Sequence, residues 1–385
     1  MAYEALLEAF SARFGDLPEV IVSAPARVNL IGEHTDYSGG WVFPVAIDLE
    51  MAIAAGRSVQ LSTVASRELG DAEPFSTATL SSTSPKGWAR YVAGVAWALQ
   101  RKTKKPISEI KALVASDIPI GTGISSSAAL EVCLGMVWDE LDQLCLSQRE
   151  IALASQSAEN DFVGMKCGIM DQIASACGRA GHAMLLDTRT LDIEFVPLPN
   201  ELAIVLCDTN KPHSHEESGY NDRRAECDAA LRALGWHDFR EASLQDLEGS
   251  RKALSEVLYS RAKHIVTENH RCRAFAQALK ALDLNRVGSL MNESHLSLQH
   301  DYEVSCTELD LMAESAWISP GCVGARMTGG GFGGACVALV RESEVEPFIH
   351  SASELYRSKS GLEPQFRRCK SAEGAHIVPA ETWAI

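Results

Sequence analysis

Residues 27–37 read Arg27-Val28-Asn29-Leu30-Ile31-Gly32-Glu33-His34-Thr35-Asp36-Tyr37, and their character changes at Gly32. A strand-like, mostly apolar run enters the glycine. An acid, a histidine, a second acid and a tyrosine then follow within five positions. A turn this rich in groups that ionise or hydrogen-bond suits a metal site, a sugar site or a solvated loop. The rest of the chain has to separate these.

The chain has 385 residues, 46% of them apolar and 22% charged, which is ordinary globular composition and enough for one large core or two domains. Its formal net charge of -16 disfavours broad contact with nucleic acid or anionic membrane. It does not exclude a phosphate held by local donors. The opening MAYEALLEAFSARFG lacks the basic and continuous apolar parts of a signal peptide. Tyr3, Leu6, Leu7, Phe10 and Phe14 instead fall on one helical face. No apolar run reaches the ~18 residues of a transmembrane helix. Eleven scattered cysteines, an odd number with no C-x-x-C pair, support neither a disulfide framework nor a zinc knuckle. A reduced, cytoplasmic protein is expected, with no nucleic-acid or membrane partner.

Strand and helix signals alternate along the chain. IVSAPARVNLIG reads as extended, KALVASDIPI as an apolar run ending in a Pro-Gly turn, and ISSSAALEVCLGMVWDELDQL as a long buried helix. Ser147 and Glu150 make a capping box for a helix from Gln148 to about Phe162. HAMLLDTRTLDIEFVPLP reads as two strands round a turn, and ELAIVLCDTN as a strand opening a second domain near residue 201. Helices dominate from Glu216 to about Trp317. The mixture predicts an α+β protein with domains over 1–200 and 201–385.

Three further constellations carry chemistry. In Pro119-Ile120-Gly121-Thr122-Gly123-Ile124-Ser125-Ser126-Ser127-Ala128, two glycines and three serines precede an apolar helix. Glycines let backbone N–H groups close round an anion, the helix N-terminus adds its dipole, and serine hydroxyls can bond phosphate or magnesium. The pattern is neither a Walker A loop nor a dinucleotide fingerprint. A Gly-rich turn with a Ser N-cap explains it equally well. In Met327-Thr328-Gly329-Gly330-Gly331-Phe332-Gly333-Gly334-Ala335, five glycines in six positions imply that something packs close to the backbone: a phosphate, a substrate or another loop. The alternative is a flexible hairpin tip, against which the strand-like CVALV argues. In CGIMDQIAS, Asp171 falls in the first turn of a short helix closed by Gly178, with Glu159 upstream. Magnesium-dependent phosphoryl transfer needs one carboxylate for the metal and one facing the nucleophile. Taken alone, Asp171 is also explained as a helix-start acid.

Together, APARVNLIGEHTDYSGGWVFPVAID, PIGTGISSSAALEV, CGIMDQIAS and MTGGGFGGACVAL resemble the motifs of the galactokinases, a branch of the GHMP kinases (galacto-, homoserine, mevalonate and phosphomevalonate kinases). LLDTRTLDIEFVPLP, SGYNDRRAEC and LMNESHLSLQHDYEVSCTELD extend the similarity over nearly the whole chain. The resemblance implies a two-domain GHMP kinase fold. An N-terminal domain like the second domain of ribosomal protein S5 joins a ferredoxin-like C-terminal domain, with the active site between them. It implies ATP and galactose as substrates, Mg2+ as cofactor, and galactose 1-phosphate and ADP as products.

Residue by residue, the similarity implies that Glu33, His34 and Asp36 bind galactose hydroxyls, with Gly168 and Tyr220 completing the pocket. Asp171 would face the anomeric hydroxyl, beside Arg27 and the transferring phosphoryl group; a carboxylate kept ionised by Arg27 and a loose transition state then suit an Asp171 that orients O1 and takes its proton late. Gly121, Gly123, Ser125 and Ser126 fall in the nucleotide-phosphate loop. Ser127 and Glu159 match the magnesium ligands. Side-chain chemistry agrees with a sugar site, because carboxylates accept hydrogen bonds, imidazole does either, and a site built for particular hydroxyls rejects an epimer lacking them. Metal binding by His34 and Asp36 lacks further ligands, and packing is an alternative role for Tyr37.

Ala26 stands where the family usually has Gly, Ile124 where it has Leu, and Lys211-Pro212-His213-Ser214-His215 departs from the usual run before Tyr220. His213 and His215 suit a sugar rim or solvent better than a metal. Kinases for N-acetylgalactosamine, galacturonate or arabinose, a more distant GHMP kinase, and a non-catalytic sugar sensor are the rivals. The complete SSSAA run with Arg27 and Asp171 favours an enzyme, a monomer or weak homo-oligomer.

Overall fold

The apolar run Val20–Asn29 forms strand β1, and all ten of its residues are buried. The computed structural model to which it belongs describes residues 3–81, 85–119, 121–211 and 216–383. Of the segments singled out above, Ile120 and the stretch 212–215 lie outside the described residues. After β1 the strands are β2 (Trp41–Val42), β3 (Pro44–Arg57), β4 (Thr63–Ser66), β5 (Gly70–Asp71), β6 (Ile110–Ser116), β7 (His182–Asp187), β8 (Ile193–Pro197), β9 (Leu202–Asp208), β10 (Cys322–Met327), β11 (Ala335–Arg341), β12 (Gln365–Cys369) and β13 (His376–Ile377). The helices are α1 (Tyr3–Phe14), α2 (Ala89–Thr103), α3 (Ser126–Asp142), α4 (Gln148–Ser157), α5 (Met170–Cys177), α6 (Glu216–Leu234), α7 (Leu244–Gly249), α8 (Glu256–Lys280), α9 (Leu284–Ser297), α10 (Thr307–Trp317) and α11 (Val345–Ser360). None of the helices among the described residues is long and apolar enough to cross a membrane.

The first sheet has the order β13-β1-β3-β6-β4-β5. Its central strands β1, β3 and β6 are largely buried on both faces, which is why they read as nearly continuous apolar sequence. Ile21, Ala52, Ala54 and Leu113 point to the α1 side and meet Leu6 and Phe10, whereas Val20, Val22, Ile53, Ala112 and Val114 point to the larger core. This is the two-residue alternation of a strand, and it confirms the amphipathic reading of α1. The capping box at Ser147 and Glu150 is present. Its helix ends at Ser157, and a π-helical turn over Ala158–Val163 carries the chain on to Gly164.

Strand β9 enters a second, antiparallel sheet in the order β10-β11-β9-β12, packed on a core that includes residues of α8, α10 and α11. The α+β expectation therefore holds. The chain does not stay with this sheet to its end. β13 returns to pair with β1, Val22 opposite Ile377, and Val378 packs beside Ile21. A small third sheet, β2-β7-β8, ties the segment after residue 37 to the hairpin 182–197.

Helix α8 grips the 32–41 loop from behind with polar side chains. Glu268 accepts from the Gly32 N–H at 2.8 Å, Asn269 from the Trp41 N–H at 2.9 Å, and His264 Nε2 donates to the Glu33 carbonyl at 3.1 Å. Burial opposes the charge of Glu268, but Arg271, His264 and Arg326 together with Ser294 draw its pKa down to about 2. Its stabilising contribution is thus complete above the ordinary value of 4.5 and is lost as pH falls toward about 2. Replacing Glu268 with Ala leaves Arg271 without its partner and should destabilise the protein by about 3 kcal/mol. In urea unfolding, the gap between wild type and variant should narrow as pH falls below 4.5; a gap that ignores pH would contradict the assignment.

Candidate active site

Strand β1 shifts register between Pro25 and Ala26, opposite β3. Proline cannot donate to a ladder, and a bulge beside it re-aims the next side chains. Arg27, two residues on, is 4% exposed and makes three strong contacts. Its Nε and Nη2 donate to the two oxygens of Asp171 at 2.6 and 2.5 Å, and Nη1 donates to the Gly123 carbonyl at 2.9 Å. Burial works against the charge of Arg27, but Asp171 more than restores it and keeps its pKa above the ordinary value. Asp171 lies in the first turn of α5, as expected, and its side chain remains 28% exposed toward a cavity.

That cavity, about 310 Å³, is lined by every residue given a role above except His34. Ser125 precedes α3 with φ +65° and makes no side-chain cap. Its hydroxyl donates instead to Asp171 Oδ2. The alternative of a Ser N-cap therefore does not hold: Asp171 has taken the hydroxyl, and the first N–H groups of α3 have no side-chain cap from Ser125 beside Gly121, Gly123, Ser126 and Ser127. Uncapped N–H groups at the positive end of a helix form an anion site. The glycines of the third motif pack on neighbouring loops. A Cβ on Gly329 would lie 2.4 Å from the Gly123 carbonyl oxygen, and one on Gly331 would lie 2.2 Å from that of Val304. The close neighbour foreseen for this turn is another loop.

Past Gly32, Glu33 is 1% exposed. Asn29 Nδ2 donates to its Oε2 at 2.8 Å, the Gly329 N–H to its Oε1 at 2.8 Å, and Arg326 Nη1 lies 3.4 Å away. Burial pushes its pKa up against the pull of Arg326 and Arg27. Asp36 is pushed up to about 7, first by burial and then by Asp171 and Glu33. Gly168 gives Asp36 its room, because a Cβ there would sit 1.9 Å from Asp36 Oδ2. Tyr220, on α6, packs against His34 and Tyr37. His34 lies behind this wall. Nε2 donates to the Gly330 carbonyl at 3.2 Å, so Nδ1 accepts from the Tyr37 hydroxyl at 3.1 Å. Both ring nitrogens have protein partners. Burial and the neighbouring His264 hold the ring neutral, with a pKa of about 3.

Glu159 and Ser127 both line the cavity, and the nearby serine hydroxyl favours the ionised form of the carboxyl group. Cys167 Sγ and Gln172 Nε2 donate to Glu159 Oε2 at 3.2 and 2.8 Å. Burial raises Glu159 to about 7, and Asp171 adds to the rise. Among the described residues, no group of three or more His, Cys, Asp or Glu could hold a metal. Magnesium bound with a nucleotide asks for less, since it keeps waters and phosphate oxygens and takes one or two protein ligands. The buried Glu159, beside a serine and close to Asp171, fits that demand. The sequence reading missed Glu131, Gln172, Cys167, Arg326 and the α8 side chains. An acid inside the apolar run AALEVCLG was the available signal for Glu131. A second, apolar cavity of about 250 Å³ adjoins the first at Ser126, Ser127 and Tyr91, and is lined by Trp88, Leu69 and Ile118.

Comparison with known proteins agrees with this geometry. The galactokinase galactose-binding signature matches residues 8–57, the GHMP kinases N terminal domain residues 90–179, and the GHMP kinases C terminal model residues 275–358. A galactokinase of Roseiflexus sp. (strain RS-1) is 44% identical over 379 residues, covering 97% of this chain and 96% of its own. The structure of Lactococcus lactis galactokinase complexed with galactose superposes with a TM-score of 0.93 at 35% identity, covering 98% of this chain and 100% of its own. Methanococcus jannaschii mevalonate kinase shares the fold at a TM-score of 0.63 and 18% identity, over 92% of this chain and 98% of its own. With its sugar loop, uncapped helix and buried Arg27–Asp171 pair on one cavity, the chain belongs to the galactokinases within the GHMP kinase family.

Proposed function

We propose that this enzyme transfers the γ-phosphoryl group of ATP to the anomeric hydroxyl of α-D-galactose, giving galactose 1-phosphate and ADP. The observation that carries the reading is the single cavity shared by Asp171, bound on two sides by Arg27, and the uncapped start of α3. The triphosphate lies on the N–H groups of residues 121–127. The adenine enters the apolar cavity beside Trp88. Galactose sits between Glu33, Asp36 and Tyr220, with O1 toward Asp171. Its hydroxyls donate to the two carboxylates. His34 supports them by fixing Tyr37 and Gly330. Residues 1–200 and 201–385 form the two halves of this site.

The sugar O1 attacks phosphorus, the bond to the ADP oxygen breaks, and the O1 proton passes late to Asp171. Such transfer rests mainly on alignment and charge stabilisation, so little prior deprotonation of O1 is needed. Arg27 faces both Asp171 and the moving phosphoryl group. Glu159 and Ser127 would hold Mg2+, whose contribution is to neutralise phosphate charge. The enzyme works in the cytoplasm as a monomer or weak homo-oligomer. A coupled ADP-release assay with galactose, N-acetylgalactosamine, glucose and arabinose tests the substrate, and preference for any sugar other than galactose would reject it.

Asp171→Asn keeps the shape but not the charge, and kcat should fall by roughly a thousandfold with galactose still bound. Near-wild-type turnover would refute the role of Asp171. Gly168→Ala drives a methyl into Asp36 and should lower kcat/KM for galactose by about a hundredfold, while KM for MgATP stays nearly constant. Because burial, Asp171 and Glu33 raise Asp36 to about 7 and its ionised form is the better acceptor, galactose affinity should rise as pH increases through about 7. Isothermal titration across that range checks the sign.

A further inference from the structure

Glu131 and Gln172 are fully buried and have no part in the mechanism above. Glu131 lies in the apolar stretch of α3, and Gln172 follows Asp171 on α5. The Gln172 amide nitrogen is 2.8 Å from Glu159 Oε2 and 3.3 Å from Glu131 Oε2. One NH2 group therefore gives a hydrogen to each carboxyl group. Among the described residues Glu131 Oε1 has no hydrogen-bond partner, so this acid is an expensive residue to keep in a helix core. Its placement has a geometric effect. An amide can be turned end for end, and its carbonyl would repel Glu159. In the orientation found, the NH2 end satisfies both acceptors, and a reversed amide would forfeit both bonds.

We propose that Glu131 locks the Gln172 amide, and that Gln172 in turn holds Glu159 Oε2 so that the other oxygen is presented with Ser127 to the divalent cation of the nucleotide. Glu131 and Gln172 are then positioning residues, two and one steps behind the metal carboxylate. Hydrogen-bond partners of metal ligands tune affinity by about ten- to a hundredfold. The inference rests on the reading of Glu159 and Ser127 as the metal pair.

The test is Mn2+ binding, followed by electron paramagnetic resonance, to the enzyme with galactose and a non-hydrolysable ATP analogue. Glu131→Met preserves volume but removes the acceptor, and Gln172→Met removes the donor. Both should weaken Mn2+ binding about tenfold and raise KM for MgATP, with galactose KM within about twofold of wild type. Glu131→Gln keeps an acceptor and should stay within about threefold of wild type. Mn2+ binding unchanged in Glu131→Met and Gln172→Met overturns the inference, and so does damage in Glu131→Gln equal to that in Glu131→Met. Wild-type enzyme that adds nothing to the Mn2+ affinity of the free nucleotide analogue would overturn the metal reading itself, and the inference with it. Galactose affinity by intrinsic fluorescence shows that each variant is folded.

Discussion

Arg27 carries a permanent charge into a place where water scarcely reaches, and its acceptors come from positions 96 and 144 residues away. Removing such a charge from water costs several kcal/mol unless its donors are met. Asp171 and the Gly123 carbonyl meet them, so the start of α5 and the turn before α3 are both fixed against β1. Ser125 then completes Asp171 instead of capping α3. A cap would have stabilised that helix but covered the donors a phosphate needs. The same ion pair thus orders the Asp171 carboxylate and leaves the start of α3 without a cap from Ser125.

The sugar loop answers to a different part of the chain. Its backbone groups at Gly32, Glu33 and Trp41 bond to α8, and its carboxylate at Glu33 is held by Gly329 and approached by Arg326. Few of its polar groups depend on water. A loop this well satisfied from behind can keep its carboxylates aimed in the absence of ligand. His34 contributes in the same way, since a neutral ring with both nitrogens occupied acts as a strut between Tyr37 and Gly330.

Much of this was legible in the sequence, because the signals were local. The change at Gly32, the capping box at Ser147 and the acid opening α5 are each decided by neighbours within a few residues. What escaped depends on contacts between distant segments. His264, Glu268 and Asn269 look like the polar content of any long helix, and only the fold shows that they are buried. Glu131 reads as an interruption of an apolar pattern, without a hint of Gln172 as its neighbour. The alternative of a serine cap before α3 fails for the same reason, because the Ser125 hydroxyl bonds Asp171 from a distant segment. β13 is two residues long, too short for any periodicity to announce it.

The return of that short strand also bears on how the molecule is made. Val22 pairs with Ile377, so the outer edge of β1 stays unpaired until nearly the whole described chain has emerged from the ribosome. Ladders closed by such distant partners form late and slowly. Until then β1, apolar on both faces, offers a bare edge to other chains. The β1 edge is therefore the last part of the first sheet to close, long after the β1–β3–β6 pairings that residues 20–116 make among themselves.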